Sequence, residues 1–230
     1  MTVQDYLDGQ IVLIDKPLGW TSFQVVNKVR WLIRKQFDLK KIKVGHAGTL
    51  DPLASGLLIL CTGKFTKKID SFQAQIKEYT GSITLGATTP SYDLETEIDQ
   101  SFPLSGITSE TIRAATHQFI GEIQQQPPIF SALKKDGKRL YEYARSGETV
   151  DIPSRTVTIS EFEISQIDLP EVAFRIVCSK GTYIRSLSHD FGKALNNGGH
   201  LSALRRTKIG DFNVANAVSI ENFEKSLKES

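Results

Sequence analysis

The stretch from Val44 to Leu57, VGHAGTLDPLASGL, surrounds a single carboxylate, Asp51, with three glycines (Gly45, Gly48, Gly56), a histidine (His46) and a proline (Pro52). Glycine permits backbone conformations and close approaches that other residues resist, while Pro52 fixes its own φ and biases Asp51 toward an extended conformation. The stretch reads as a built site around a carboxylate, the group that serves enzymes as nucleophile or proton carrier. The simpler reading is that Asp51-Pro52 only initiates a turn after a buried strand, and the loop alone leaves both readings open.

A second candidate position lies in Ser179-Lys-Gly-Thr-Tyr-Ile-Arg-Ser186, where Tyr183 and Arg185 fall at a predicted helix entry next to a Gly-bearing turn. Helix entries expose side chains and backbone N–H groups together and so suit ligand contact. Metal chemistry is not supported. The four histidines (His46, His117, His189, His200) form no HExxH or paired pattern, and Cys61 and Cys178 have no partner at ligand spacing and read as reduced core residues.

The elements that must position these residues belong to a chain of 230 residues, 40% hydrophobic and 23% charged, the composition of a soluble globular protein able to bury a substantial core. No apolar run approaches the roughly 20 residues of a membrane span, and the N-terminus lacks the regions of a signal peptide, so cytoplasmic residence is expected. Net charge is only +2, but it is unevenly distributed. Seven basic residues (Lys28, Arg30, Arg34, Lys35, Lys40, Lys41, Lys43) face one acid, Asp38, and further clusters are Lys64/Lys67/Lys68, Lys134/Lys135/Lys138/Arg139 and Arg205/Arg206/Lys208. The acids Asp93, Glu95, Glu97 and Asp99 collect elsewhere. Such segregation suits a polyanion contacted along one face and repelled at another; the bland alternative is solvated helix faces.

Hydrophobic periodicity predicts a strand at Ile11–Ile14, then a helix capped by Thr21 or Ser22 with Phe23, Val26, Val29 and Ile33 on its apolar face. A buried strand is expected at Leu57–Leu60, a short helix from Phe65 to Gln75 and an alternating strand from Glu78. Residues 87–107 read as a long polar surface connection, and a helix from about Thr108 to Ile120 follows. Gln124 to Arg145, with its double proline, aromatics and lysines, reads either as an extended linker into a helix or as a mobile arm laid over a phosphate-binding surface. Strands are expected at Val157–Ile164, Val172–Cys178 and Leu201–Ile209, with a helix to about Leu195 and a last short one at Ile220–Leu227.

In this order the motifs closely resemble the TruB-type tRNA pseudouridine synthases, which isomerise uridine 55 in the T loop. The resemblance covers essentially the whole chain. It is carried by Asp15-Lys-Pro-Leu-Gly-Trp-Thr-Ser22, Gly45-His-Ala-Gly-Thr-Leu-Asp-Pro-Leu-Ala-Ser-Gly56, Lys77-Glu-Tyr79, Gln126-Pro-Pro-Ile-Phe-Ser-Ala-Leu-Lys134, Ser179-Lys-Gly-Thr-Tyr-Ile-Arg185 and His200-Leu-Ser-Ala-Leu-Arg-Arg-Thr207. It implies an α/β (α+β) pseudouridine synthase fold on a central mixed, largely antiparallel sheet, with no metal or organic cofactor. It further implies Asp51 as the essential carboxylate, Tyr79 as the aromatic that stacks on the target base and helps remove its C5 proton, and Arg185 as the arginine paired with the aspartate. Tyr183 and Leu204 match pocket residues, and His46 matches the residue that wedges into the T loop. Lys16 and Lys64 are candidate phosphate or site-ordering contacts.

The expected organisation is a catalytic domain over 1–210, with an RNA-binding arm at about 124–145, and a short tail over 211–230 in place of the PUA-type module that many bacterial members carry. The expected partner is the T stem-loop of tRNA, met by a monomer without membrane attachment. A noncatalytic RNA-binding protein is the rival reading, against which the joint retention of Asp51, Tyr79 and Arg185 argues. A carboxylate-based nucleoside glycosidase would not need the basic clusters.

Overall fold

The computed structural model describes residues 1–229 and falls into two compact units: Met1–Tyr79 together with the chain from Leu204 onward, and Thr80–Ala203. The first unit opens with α1 (Val3–Asp8), a helix that hydrophobic periodicity does not announce and that is held by a capping box between Thr2 and Asp5. Next come β1 (Ile11–Lys16), α2 (Ser22–Gln36), β2 (Val44–His46), β3 (Ala54–Thr62), a 3-10 turn over Gly63–Lys68, α3 (Ile69–Ala74) and the start of β4 (Lys77–Leu85).

β1 runs antiparallel to β3 in register from Ile11↔Cys61 to Lys16↔Gly56. β3 is covered on both faces, which is why it reads as an unbroken apolar run. On one face Leu58 and Leu60 pack with Val12, Ile14 and the buried stripe of α2 (Val25, Val26, Val29, Leu32, Ile33); on the other, Leu57, Ile59 and Cys61 pack with Ala47, Phe72 and Ile209. Phe23 does not join that stripe, being 65% exposed. The stripe follows positions 22, 25, 26, 29, 32 and 33, and position 23 lies on the opposite arc of the helix.

In the second unit the chain forms a ribbon of β5 (Ala87–Thr88) and β6 (Gln100–Ser101), then α4 (Ser109–Ala115), continued by a 3-10 turn, and β7 (Gly121–Gln125). A hairpin of β8 (Lys134–Lys135) and β9 (Lys138–Arg139) leads into α5 (Leu140–Ser146), followed by β10 (Arg155–Asp168), β11 (Glu171–Cys178) and α6 (Ile184–Ala194). The strand order here is β12-β4-β11-β10-β7, where β12 (Gly199–Ile209) carries the chain back to the first unit. Phe162 anchors the core, its ring 5.2 Å from Phe191 and 6.2 Å from Phe119.

Two sequence expectations change here. Residues 87–107 are not all surface: Thr88, Thr89, Ser91 and Asp93 are buried, because their side chains bond Asp99 and neighbouring backbone in place of water. The stretch from 124 to 145 begins inside the sheet, with Gln124 and Gln125 paired to Thr156 and Arg155, and both of its prolines are buried. Only its later part projects as the hairpin, turned by Asp136 and Gly137, both at positive φ, and as α5.

Back in the first unit, β12 lies parallel to β3, with Leu204 opposite Ala54 and Arg206 opposite Gly56, giving a mixed order β1-β3-β12-β4. β13 (Phe212–Asn213) pairs with β12, and α7 (Ile220–Lys228) buries Ile220, Phe223 and Leu227 against α2. The C-terminal segment is thus built into this unit's core. Among the described residues no helix is long and apolar enough to cross a membrane.

Candidate active site

Asp51 sits half-buried in the loop between β2 and β3, and three separate elements hold that loop. Ser22, at the start of α2, accepts a hydrogen bond from Leu50 N at 2.8 Å and donates to Leu50 O at 3.0 Å. Gly19 N donates to Pro52 O at 2.8 Å. From β12, the 1% exposed Arg206 donates from Nε to Leu57 O at 2.8 Å and from Nη2 to Gly48 O at 3.0 Å. The glycines explain themselves locally. Gly48 has φ +95°, and Gly56, at φ +104°, lies so close to β12 that a Cβ would stand 2.3 Å from Arg206 O.

Lys16 is wholly buried at the end of β1 and donates to Trp20 O at 2.6 Å and Pro17 O at 3.0 Å. Burial pushes its pKa down to about 8; the negative charge of Asp51 opposes that fall and Arg206 adds to it. Lys16 therefore orders the site from inside and does not face phosphates. Lys64 is not gathered here: its exposed ammonium pairs with Asp8 at 2.7 Å. His46 lies at the end of β2, half-buried, and burial first, then the charge of Arg206, lowers its pKa, so its ring is neutral at neutral pH. Tyr79 is buried on β4 and Leu204 half-buried on β12. Beside them Glu78 accepts hydrogen bonds from Thr207 at 2.8 Å and Lys208 at 3.2 Å, tying the two strands.

The pair Arg205-Arg206, which reads as a surface cluster, serves structure on both counts: Arg206 braces the Asp51 loop, and Arg205 forms a two-point pair with Asp15 at 3.0 and 2.7 Å.

In the second unit Tyr183 caps α6. Its backbone N–H donates to Gln125 Oε1 at 2.8 Å and its carbonyl accepts from Gln125 Nε2 at 3.0 Å, while Arg155 lies 4.7 Å from the centre of its ring. Arg185 is 4% exposed, donates to Phe130 O at 2.9 Å and places Nε 3.5 Å from Asp93 Oδ2. Asp93 is the residue that sequence reasoning missed. Grouped with Glu95, Glu97 and Asp99 it looks like a solvated acid, yet it is buried against Arg185, and its Oδ1 accepts from Glu95 N at 3.0 Å. The signal available was the hydroxyl-rich run Thr88-Thr89-Pro90-Ser91 just before it, a composition that supplies internal hydrogen-bond partners. Next to it Tyr92, at φ 63°, stacks on His189 with ring centres 3.9 Å apart, so consecutive loop residues grip α6 at two positions one turn apart.

A model of the TruB family pseudouridylate synthase N-terminal domain matches residues 34–184, and one of the tRNA pseudouridylate synthase B C-terminal domain matches residues 185–230. The tRNA pseudouridine synthase B of Flavobacterium johnsoniae is 64% identical over 229 residues, covering 99% of this chain and 100% of that one. The protein of the same name from Phocaeicola vulgatus is 52% identical over 225 residues, covering 98% and 96%. Among solved structures, a chain of a Cbf5–Nop10–Gar1 complex superposes with a TM-score of 0.73 at 30% identity; the match covers 98% of this chain but only 56% of that longer one.

Proposed function

The chain belongs to the TruB family of pseudouridine synthases, and from that premise we propose that it isomerises uridine 55 in the T loop of tRNA with Asp51 as the essential carboxylate. In this reaction the N1–C1′ glycosidic bond breaks, the uracil rotates, C5 bonds to C1′, the C5 proton leaves and N1 gains one. Asp51 enters by attacking either the ribose or the pyrimidine ring. The observation that carries the reading is the mount: a half-buried carboxylate on a loop braced by Arg206 and Ser22, with buried Lys16 in its field. A cationic surrounding attracts and orients a carboxylate, and a braced loop keeps it aimed.

A target base must leave its stack, at a cost of a few kcal/mol, and Tyr79 supplies a replacement stacking surface and the group that helps remove the C5 proton. Arg185, which the family resemblance pairs with the essential aspartate, is itself steadied by Asp93. Tyr183 and Leu204 pack around the reacting nucleotide, neutral His46 wedges into the loop, and exposed Lys64 and the hairpin arm are left for phosphates. The protein acts as a monomer in the cytoplasm. The test is conversion of uridine to pseudouridine in a T stem-loop RNA by the purified chain. We expect Asp51→Asn to bind the RNA and yield no product; an active Asp51→Asn enzyme would sink the mechanism, and a wild type that binds without product would favour an RNA-binding protein.

A further inference from the structure

α2 carries no acidic residue, and its outward arc interleaves aromatic and basic side chains. Going round the helix at 100° per residue, Phe23, Arg34, Asn27, Trp31, Gln24, Lys35 and Lys28 follow one another on the side away from the core. Phe23 and Trp31 are 65% and 47% exposed. The indole of Trp31 is flanked by two ammonium groups, Lys28 at 4.7 Å and Lys35 at 4.9 Å from the ring centre. Two like charges on one ring repel each other, and an anion brought between them relieves that repulsion.

The basic run around this helix sorts into two sets. Arg30 is structural, donating to Val44 O at 2.9 Å, and Arg34 donates to Leu39 O at 3.1 Å. Lys35, Lys40, Lys41 and Lys43 are exposed, while half-buried Lys28 lies 3.9 Å from Glu224 of α7. The arc also has a defined starting point. Ser22 and Gly19 join the first turn of α2 to Leu50 and Pro52, so exposed Leu18, Leu53 and Phe23 stand where the helix meets the Asp51 loop. From Phe23 to Trp31 the ridge runs eight residues, about 12 Å along the axis.

We propose that the outward face of α2 is an RNA track leading away from the Asp51 loop, on which Trp31 stacks on an unpaired base outside the target position and Lys28, Lys35 and the 40–43 lysines hold its phosphates. Exposed aromatics interleaved with lysines match the pairing of stacking platform and cationic groove by which proteins hold single-stranded nucleic acid. This rests on the tRNA reading above and names where that RNA continues once its target uridine is seated.

The experiment compares full-length wild type with Trp31→Ala, Trp31→Phe and Lys35→Glu on a T stem-loop RNA and on a full tRNA transcript, measuring Kd across salt together with KM and kcat. Trp31→Ala should raise Kd and KM about tenfold, the loss of one stacked base, with kcat recovered at saturating RNA. Trp31→Phe should restore most of the affinity, which a merely structural role for the side chain would not predict. Lys35→Glu should lower the slope of log Kd against log salt by about one. Kd, KM and salt slope equal to wild type in all three variants on both RNAs would overturn the track. A wild type that makes no pseudouridine in either RNA would instead overturn the reading on which it rests.

Discussion

Two arginines, Arg206 and Arg185, are almost equally buried, at 1% and 4% exposure, and do different work. Arg206 spends its donors on backbone carbonyls, Gly48 O in the loop it braces and Leu57 O in β3. Arg185 also takes a carbonyl, Phe130 O, but lies beside a buried carboxylate, Asp93. A guanidinium among carbonyls is a strut whose charge reaches its surroundings as a field; a guanidinium steadied by a carboxylate is held in orientation for a further anion. Burial alone therefore does not separate the two arginines, and their acceptors do.

The largest effect should come from the strut. Arg206→Met deprives the carbonyls of buried Leu57 and half-buried Gly48 of this donor and should cost about 3 kcal/mol of stability, read by urea unfolding, with activity lost in proportion to the unfolded fraction. A variant as stable as wild type would mean that the loop holds itself. Asp93→Asn should cost about 2 kcal/mol, since the amide still accepts a hydrogen bond but no longer carries charge. Its kcat should fall more than its stability explains, because Arg185 loses its orientation; a fall in stability alone would reduce Arg185 to a second strut.

Lys16 gives a smaller, pH-dependent signature. Its folded pKa is about 8 against an ordinary value of 10.5, so between those pH values the unfolded chain holds a proton that the folded chain has released. Stability from this group therefore rises with pH across that window, by at most about 1.4 kcal/mol per pH unit, and the penalty of burying the charge is fully present below it. Lys16→Met should flatten that rise. Asp51→Asn should shift its onset to lower pH, since Asp51 holds the ammonium charged. Smallest of all, Lys64→Ala should leave the unfolding midpoint unchanged, because the Lys64–Asp8 pair stands in solvent.

Most of the architecture was legible because its signals are local. The apolar run Leu57–Leu60 announced a buried strand, and Thr21 or Ser22 announced the start of α2, where Thr21 proves to be the cap. The Asp51 loop was legible because glycine and proline carry their constraints in their identities. What escaped depends on partners distant in sequence. The hydroxyl-rich run before Asp93 is only a hint, and what separates it from Glu95 is Arg185, brought to it by the fold. Arg206 looks like its neighbour Arg205 because a charge read in sequence carries no depth. Phe23 failed for a different reason: one apolar residue beside a helical stripe fits the pattern nearly as well as a member of it, and only the angular position of Ser22, turned in to Leu50, decides.

The strut also times the enzyme's assembly during synthesis. Leu57 and Gly48 precede Arg206 by 149 and 158 residues, so both carbonyls leave the ribosome long before the side chain that ties them exists. Contacts of such separation form late, because the chain between must be ordered first. A nascent chain can fold β1, α2 and β3 and still lack a fixed Asp51 loop, which is set only when the returning strand β12 closes on it.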